Sequence, residues 1–215
     1  MSTSIPILSK IHKNQRGLTL IEIMIVLVIV AGFFALALPA LNDKKRELRS
    51  EIRKFKVLAR SLRAKARVSN TTYRIVIEMP EERAEDPTHK FWVEASSERV
   101  TIMTEDQKKD LESELAEDKD IDNLFGFALD ESFFKEPKEL PDGLKFSRVE
   151  YTDRDDPIRE GKAFIHFFPS GLVEESAIHI SGLEGEMNFT ISFHPLTGNA
   201  DIIFKDVELK DLVAQ

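Results

Sequence analysis

The chain has 215 residues, with 30 Lys and Arg against 38 Asp and Glu, which gives a formal net charge of −8. Its length allows one domain of ordinary size with an appendage, and 42% hydrophobic residues is normal for a globular protein. This composition excludes a collagen-like or largely disordered chain, and the absence of cysteine excludes disulfides, thiol nucleophiles and cysteine-ligated metal sites.

Charge is segregated along the chain. Residues 1–17 carry three bases and no acid, and residues 18–42 carry a single charge, that of Glu22. Residues 43–67 have eleven bases and three acids, a net +8, whereas residues 68–215 have 16 bases and 34 acids, a net −18. The chain therefore consists of a basic leader, an apolar segment, a basic segment and an acidic remainder.

The apolar segment predicts a membrane anchor. Residues 23–41 are nineteen uncharged residues, about 28 Å long as a helix at about 1.5 Å per residue. Because the hydrocarbon core of a bilayer is about 30 Å thick, we predict a transmembrane helix over residues 18–41. By the positive-inside rule the leader stays cytoplasmic and the domain after the helix is periplasmic. The leader bases are Lys10, Lys13 and Arg16.

The junction of leader and anchor carries a processing motif. Residues 16–22 read Arg-Gly-Leu-Thr-Leu-Ile-Glu, with Gly17 before an apolar residue and a carboxylate at Glu22. This resembles the class III signal of type IV pilins and type II secretion pseudopilins. The resemblance implies removal of residues 1–17 by a prepilin peptidase, which cuts between Gly17 and Leu18, and N-methylation of Leu18.

An ordinary secretory signal is the alternative interpretation. Residues 35–37, Ala-Leu-Ala, have the small-x-small form of a signal peptidase site. However, the apolar segment is longer than the ~7–15 residues of such a signal, and a carboxylate stands at its start. Both features indicate that the apolar segment is not removed by a signal peptidase and remains as a membrane anchor.

Two residues of the anchor have expected roles. A carboxylate in a membrane is costly and by default marks a function or a partner; the alternative is that Glu22 only reaches the headgroups. Cleavage would expose the Leu18 amine, which could neutralise Glu22 of a neighbouring subunit and set the axial register of assembly. Pro39 lacks an amide hydrogen, so we predict a helix kink there, or an ordinary proline of a membrane helix.

An amphipathic stalk helix is predicted over residues 42–69. Its apolar residues recur at spacings of three, four and seven: Leu48, Ile52, Phe55, Ala59, Leu62 and Ala66. The other face carries Lys44, Arg46, Arg53, Lys54, Arg60 and Arg63. We expect the apolar face to pack on the domain and the basic face to meet solvent or acidic subunits, in preference to lipid headgroups or nucleic acid.

Beyond Asn70 the hydrophobic period changes from 3.6 to 2, which predicts a β-rich globular domain over residues 70–215. The expected strands are Thr72–Met79, Phe91–Ala95, Leu144–Tyr151, Lys162–Phe168, Leu172–Ile180, Met187–His194 and Ala200–Lys205. The predicted fold is α+β and pilin-like, with the long N-terminal helix packed on one or two antiparallel β-sheets.

The order of the last strands indicates which family of pilin-like proteins the chain resembles. Phe164–Gly171 is an apolar strand ending in a Pro-Ser-Gly turn, Ala177–Ile180 is a second apolar strand, and Thr190–Gly198 ends in a glycine turn. This order is similar to the GspH/FimT family. The resemblance implies a minor pseudopilin, a type II secretion system protein H, in the inner membrane as a single-pass protein. Its expected partners are other major and minor pseudopilins, the prepilin peptidase, the inner-membrane secretion assembly platform and inner-membrane lipid.

A charged insertion covers residues 103–142. We expect a short helix over Glu105–Asp118, followed by a loop that packs back on the domain as a flap. The apolar residues of that loop are Leu124, Phe125, Phe127, Phe133 and Phe134. A partner-binding surface is the alternative.

The sequence contains no motif typical of catalysis, phosphate binding or metal binding. Neither a glycine-rich phosphate loop nor an HExxH motif occurs, so we expect no enzyme, no cofactor and no metal. The histidines are expected to be satisfied or exposed: His89, His166, His179 and His194. The acidic turn Asp153–Asp156 lacks the Gly and Glu of a calcium loop. DNA is not an expected partner of a domain with net charge −18.

Three functions remain open at this point. The first is the minor pseudopilin. The second is a FimT-like minor pilin of a type IV pilus, acting in assembly or DNA uptake. The third is an uncleaved, membrane-anchored periplasmic binding domain.

Overall fold

The computed structural model describes residues 19–81, 87–98, 100, 125–182 and 187–213. Over these residues a helix of 50 residues, α1 (Leu20–Ser69), precedes a series of strands and a short helix, α2 (Leu209–Val213). The strands are β1 (Thr72–Met79), β2 (Lys90–Ser96), β3 (Ala128–Leu129), β4 (Lys138–Glu139), β5 (Leu144–Tyr151), β6 (Gly161–Phe167), β7 (Ser176–Gly182), β8 (Asn188–Phe193) and β9 (Ala200–Ile203). The chain divides into two compact units, Met1–Arg46 and Glu47–Gln215.

The first unit contains the apolar part of α1. The large apolar side chains of residues 20–33 are 42 to 79% exposed. The transmembrane helix predicted over residues 18–41 is not shown: within the described residues, no helix has a stretch long and apolar enough to cross a membrane. The helical backbone passes through Pro39, and the kink expected there stays a prediction.

Helix α1 ends where the sequence period changes. Asn70 has a φ of 52°, a left-handed conformation that Asn adopts more readily than most residues. The N–H of Thr71 donates to the carbonyl of Ala66 at 3.2 Å, which makes this end a Schellman motif. The Ser69 hydroxyl donates to the carbonyl of Lys65 at 2.7 Å. These bonds satisfy carbonyls that the end of the helix would otherwise leave without partners.

Two antiparallel sheets form the second unit. The first sheet has the order β3-β2-β1-β6, with β4 also pairing with β2, and the second has the order β5-β7-β8-β9. In the first sheet Ile75 of β1 lies opposite Val93 of β2 and Ile165 of β6. The α+β fold with antiparallel sheets is thereby confirmed.

The apolar face of α1 forms the core together with both sheets. All six residues predicted for this face are buried. The ring of Phe55 lies 4.7 Å from that of Phe91 on β2 and 6.4 Å from that of Phe146 on β5. Burying one such side chain contributes about 1.5–3 kcal/mol. A single helical residue thus joins the two sheets.

Five of the seven expected strands differ from the observed strands at their ends, and two of these differences have a visible cause. Strand β7 begins at Ser176, not at Leu172, because Glu174 leaves the ladder: its N–H donates to the His166 carbonyl and its carboxylate lies 2.7 Å from His166 Nδ1. Strand β9 ends at Ile203, not at Lys205, because the chain turns there to cover β8.

The covered face of β8 is polar. Thr190 is 0% exposed, and its hydroxyl donates to the Lys205 carbonyl and accepts the N–H of Val207. A simple alternation of apolar and polar residues would have placed Thr190 in solvent. The C-terminal segment after β9 supplies the partners that make its burial tolerable.

Part of the insertion packs back as a flap, as expected. Phe133 and Phe134 pack against the core, with Phe134 5.6 Å from Phe91 between ring centroids. Phe127 covers the guanidinium of Arg74 at 3.9 Å. The helix expected over Glu105–Asp118 and the side chain of Leu124 lie outside the described residues.

Candidate functional site

The start of α1 lies next to the predicted processing junction. Thr19 is the N-cap: its Oγ1 accepts the N–H of Glu22 at 3.3 Å, and its carbonyl accepts the N–H of Ile23 at 3.2 Å. Thr-x-x-Glu is the sequence of a capping box. A carboxylate in the first turn also interacts favourably with the positive end of the helix dipole, worth about 0.3–1 kcal/mol. Glu22 therefore has a local role at this helix start.

Thr19 is a residue that the sequence interpretation passed over. The signal for it was present, because Ser or Thr three residues before Glu, just ahead of an apolar run, marks a helix start. Its cap fixes where the helix begins, so the backbone after Leu18 is helical almost at once.

The two predicted site residues that the structure describes, Glu22 and Pro39, do not converge. Gly17 and Leu18 lie outside the described residues, Glu22 is exposed in the first turn of α1, and Pro39 lies in the same helix. At about 1.5 Å per residue, Glu22 and Pro39 are about 25 Å apart. The candidate site is therefore the beginning of α1, with Glu22 as its charged group.

Three bases of α1 bind other elements of the second unit. Lys56 Nζ lies 3.1 Å from Asp201 Oδ1, and Lys65 Nζ lies 2.7 Å from Asp130 Oδ2. Arg63 donates from Nε to the Gly171 carbonyl at 2.8 Å and from Nη2 to the Leu196 carbonyl at 2.9 Å. The hydrogen bond that Lys65 donates to Asp130 raises the pKa of Lys65 despite its partial burial. Part of the basic face thus packs on the domain.

Other bases of this helix lie at the surface: the side chain of Arg67 packs beside Gly171, and Arg60 lies beside the turn at Gly198. Arg53, Arg60 and Arg67 are exposed, and within the described part of the chain no carboxylate pairs with them. The sequence interpretation left open whether such residues meet solvent or an acidic neighbour.

A polar cluster lies beneath the segment that follows β9. Arg148 donates to both carboxylate oxygens of Asp206, at 3.0 and 2.8 Å, and to Glu150 Oε1 at 2.6 Å. His179 is 1% exposed, and its Nδ1 lies 2.7 Å from Asp206 Oδ1. Its Nε2 is 3.3 Å from Glu150 Oε1 but does not have hydrogen-bond geometry. Burial lowers the pKa of His179, although both carboxylates oppose this effect.

This cluster has no arrangement for nucleophilic catalysis. In a catalytic triad the carboxylate and the nucleophile contact opposite nitrogens of the imidazole. Here Asp206 and the Thr190 hydroxyl both approach Nδ1, the latter at 3.4 Å, and the hydroxyl is bound to the segment after β9. The cluster holds that segment on the second sheet.

Metal binding finds no support among the described residues. They contain no group of three His, Asp or Glu side chains placed to hold a metal ion.

Comparison with known proteins gives one match, at the N-terminus. Residues 12–37 match the family model of the prokaryotic N-terminal methylation motif. No curated protein and no solved structure matches the chain. The match contains Gly17, Leu18, Glu22 and the capping Thr19. It supports a type IV pilin-like, membrane-anchored protein that is processed as a prepilin, and the α+β fold is consistent with this class.

Proposed function

We propose that this chain is a minor pseudopilin, a structural subunit of the periplasmic pseudopilus of a type II protein secretion system. The observation that carries the proposal is the methylation motif over residues 12–37, within which a capped helix begins at Leu20. In this proposal residues 1–17 are removed, Leu18 is N-methylated, and residues 18–41 anchor the chain in the inner membrane with the second unit in the periplasm.

Assembly would depend on Glu22 and the amine of Leu18 in adjoining subunits. Two unit charges ~4 Å apart attract by about 1 kcal/mol in water and about 4 kcal/mol at an effective dielectric constant near 20. Removing both charges from water offsets much of this gain. The pair would therefore align subunits more than it stabilises them. The exposed position of Glu22 in the first turn is compatible with such a contact.

The assignment within pilin-like proteins rests on the strands of the second unit. The Pro-Ser-Gly turn after β6 and the glycine turn after β8 follow the order typical of the GspH/FimT family. The partners proposed on this basis are other major and minor pseudopilins, the prepilin peptidase and the inner-membrane assembly platform.

The intact mass of the protein extracted from membranes tests the proposal. We expect a chain that begins at Leu18 and carries one methyl group. A full-length chain would instead support an uncleaved, membrane-anchored periplasmic binding domain. A chain that begins after Ala37 would show an ordinary secretory signal. Either result would overturn the proposed processing and assembly.

A FimT-like minor pilin of a type IV pilus is the second candidate. It is favoured by the exposed Arg53, Arg60 and Arg67, which are bases that DNA phosphates could contact. The acidic second unit opposes it. A gel shift with the full chain in detergent at moderate salt distinguishes the two candidates. We expect weak or no retardation, whereas tight and salt-sensitive retardation would favour the pilin of a DNA-uptake system.

A further inference from the structure

The side of α1 opposite the core carries a regular row of small and apolar residues. Val57, Ser61, Ala64 and Val68 alternate at spacings of four and three, and all are exposed, Val57 at 65% and Val68 at 89%. We name these four residues the outer seam. A 4-3 spacing brings side chains onto one line along which a second helix can pack, and small residues allow close approach. The seam lies wholly within the second unit.

One side of the outer seam is positively charged. Arg53, Arg60 and Arg67 follow each other at seven-residue intervals, about 10.5 Å along the axis, and lie on the same flank of the seam. We name them the arginine row. Lys56, Arg63 and Lys65 bind groups of the domain, whereas the arginine row has no carboxylate partner in the described part of the chain. It is a positive line on a unit whose sheets and loops are acidic.

The other side of the outer seam is an apolar groove. Leu58 of α1 and Phe133, Phe134 and Leu140 of the flap line a cavity of about 320 Å³. Val57 and Ser61 also line it, so the groove and the seam are continuous. A helix lying on the seam would have apolar side chains available to the groove on one side and would meet guanidinium groups on the other.

We propose that the outer seam docks an acidic, amphipathic helix of a different chain. That helix has an apolar ridge toward the groove and Asp or Glu toward the arginine row, because charges flanking a helix–helix seam select the partner. The proposal deepens the proposed function and rests on it for the partner being another filament subunit.

Charge argues against a second copy as the occupant. In an antiparallel pair the arginine row would face itself. In a parallel pair the flanking residue of one chain meets the residue five positions later in the other, so Arg60 would approach Lys65. Arg53 and Arg67 would meet the uncharged Leu58 and Thr72 in that parallel pair, and Lys65 is already bound to Asp130. Neither arrangement gives the arginine row a carboxylate, which favours a heterotypic contact.

Nucleic acid fits this surface less well. The outer seam has no aromatic residue on which bases could stack, and the groove beside it is lined mainly by apolar side chains.

Site-specific crosslinking from Ala64 tests the proposal in the native host. The chain has no cysteine, so Ala64→Cys introduces the only thiol, which can carry a photoreactive crosslinker in the full-length protein in its membrane. Asn188→Cys, exposed at the start of β8, is the matched control. We expect Ala64→Cys to give an adduct with one other protein through a helix that bears Asp or Glu at regular intervals, and Asn188→Cys to give none.

The second part of the crosslinking experiment reverses the charge of the arginine row. The triple variant Arg53→Glu, Arg60→Glu and Arg67→Glu should lower the adduct yield about tenfold, since flanking charges govern encounter and partner choice. A control triple with the same change of net charge at exposed positions elsewhere should keep it: Lys145→Glu, Arg159→Glu and Lys205→Glu.

The outcomes that would refute the docking surface differ from those that would refute the proposed function. An adduct between two copies only, an adduct with nucleic acid or lipid only, no adduct, or a yield unaffected by the arginine variants would each overturn the docking surface. A processed chain whose assembly depends on Glu22 but which gives no Ala64 adduct would refute this surface alone. An uncleaved chain that still gives the Ala64 adduct would refute the proposed function and leave the surface in place.

Discussion

Gly198 lies so close to Arg63 that a Cβ on the glycine would fall 2.1 Å from Arg63 Cδ. Gly198 also has a φ of 62°, a left-handed conformation that costs other residues free energy. The hydrogen bonds of Arg63 to the carbonyls of Gly171 and Leu196 are formed across this close contact. The turn before β9 thus has a glycine for two reasons, its backbone conformation and the arginine packed on it.

Gly198→Ala should destabilise the protein by about 1–3 kcal/mol, since it adds backbone strain and displaces Arg63. For a chain of this size that is a fall in Tm of about 2–4 °C per kcal/mol. Gly143→Ala is the matched control, because Gly143 has a φ of 93° but no atom within 4 Å of its virtual Cβ. Thermal unfolding should show the larger loss for Gly198→Ala, and equal losses would contradict a role for the Arg63 contact.

Glu22→Ala should leave insertion and leader removal intact but reduce incorporation among the other subunits. Glu22→Gln keeps the size and removes the charge, and it should be nearly as harmful. Thr19→Val is the control, since it deletes the N-cap and keeps the carboxylate. Crosslinking or co-purification with partner subunits, together with secretion, measures the effect. If Thr19→Val were as harmful as Glu22→Gln, helix capping and not an intersubunit charge pair would explain the phenotype.

Tyr151 links the two sheets through its hydroxyl. It lies on β5, donates to the carbonyl of Phe164 on β6 at 2.8 Å and accepts the N–H of the same residue at 3.0 Å. Burial raises the pKa of Tyr151, so the hydroxyl stays protonated at physiological pH. Tyr151→Phe should cost about 1–3 kcal/mol of stability, because both groups of Phe164 lose their partner.

The control for this variant is Tyr73→Phe. Tyr73 is also buried, but its hydroxyl contacts side chains of α1, Ser69 at 3.5 Å and Lys65. Chemical denaturation of both variants should show the larger loss for Tyr151→Phe. An equal loss of stability in the two variants would mean that the hydrogen bonds of Tyr151 between the sheets do not stabilise the fold.

Stability should decrease as the pH falls below about 6.5. The pKa of His179 is lowered in the folded state by burial, while the imidazole of the unfolded chain titrates near its ordinary pKa of about 6.5. Below that pH the unfolded state binds a proton that the folded state does not, so the free energy of unfolding falls. Burial lowers the pKa of His89 in the same way. Glu150 and Asp206 face His179, and their lowered pKa values add a further loss only below about pH 4.5.

Unfolding measured from pH 7.5 to 5.5 in the wild type and in His179→Gln tests this dependence. The variant should have a shallower slope, with the contribution of His89 remaining. A slope that is unchanged, or stability that increases toward pH 5.5, would show that the carboxylates and not burial determine the protonation of His179.

Hydrophobic periodicity predicted much of this fold. The apolar face of α1 was predicted residue by residue, and β1 and β5 were predicted with the observed ends, because periods of 3.6 and 2 report directly which face is buried. Strands β3 and β4 are two residues each, too short to leave a period. The burial of Thr190 depends on a segment fifteen residues later, and a local pattern carries no information about such a partner.

The candidate site, too, was predictable from the sequence only in part. Gly17, Leu18 and Glu22 follow from a contiguous motif, which the family comparison recovers, and Thr19 was available from the capping pattern. The arginine row was visible only as a basic face. Which bases pair with the domain and which stay exposed depends on where Asp130, Asp201 and the turn carbonyls lie, and these positions require the tertiary structure.

The position of β1 between β2 and β6 has a kinetic consequence. Strand β1 is synthesised early, but one of its two edges stays unpaired until β6 has been synthesised, with the whole insertion in between. The closure entropy of that connection grows only by about 0.6 kcal/mol per doubling of its length, so a long insertion costs little at equilibrium. Contacts between residues far apart in sequence nevertheless slow folding, and an unpaired strand edge is open to association in the meantime. We expect the emerging chain to need protection by a periplasmic chaperone until its first sheet is complete.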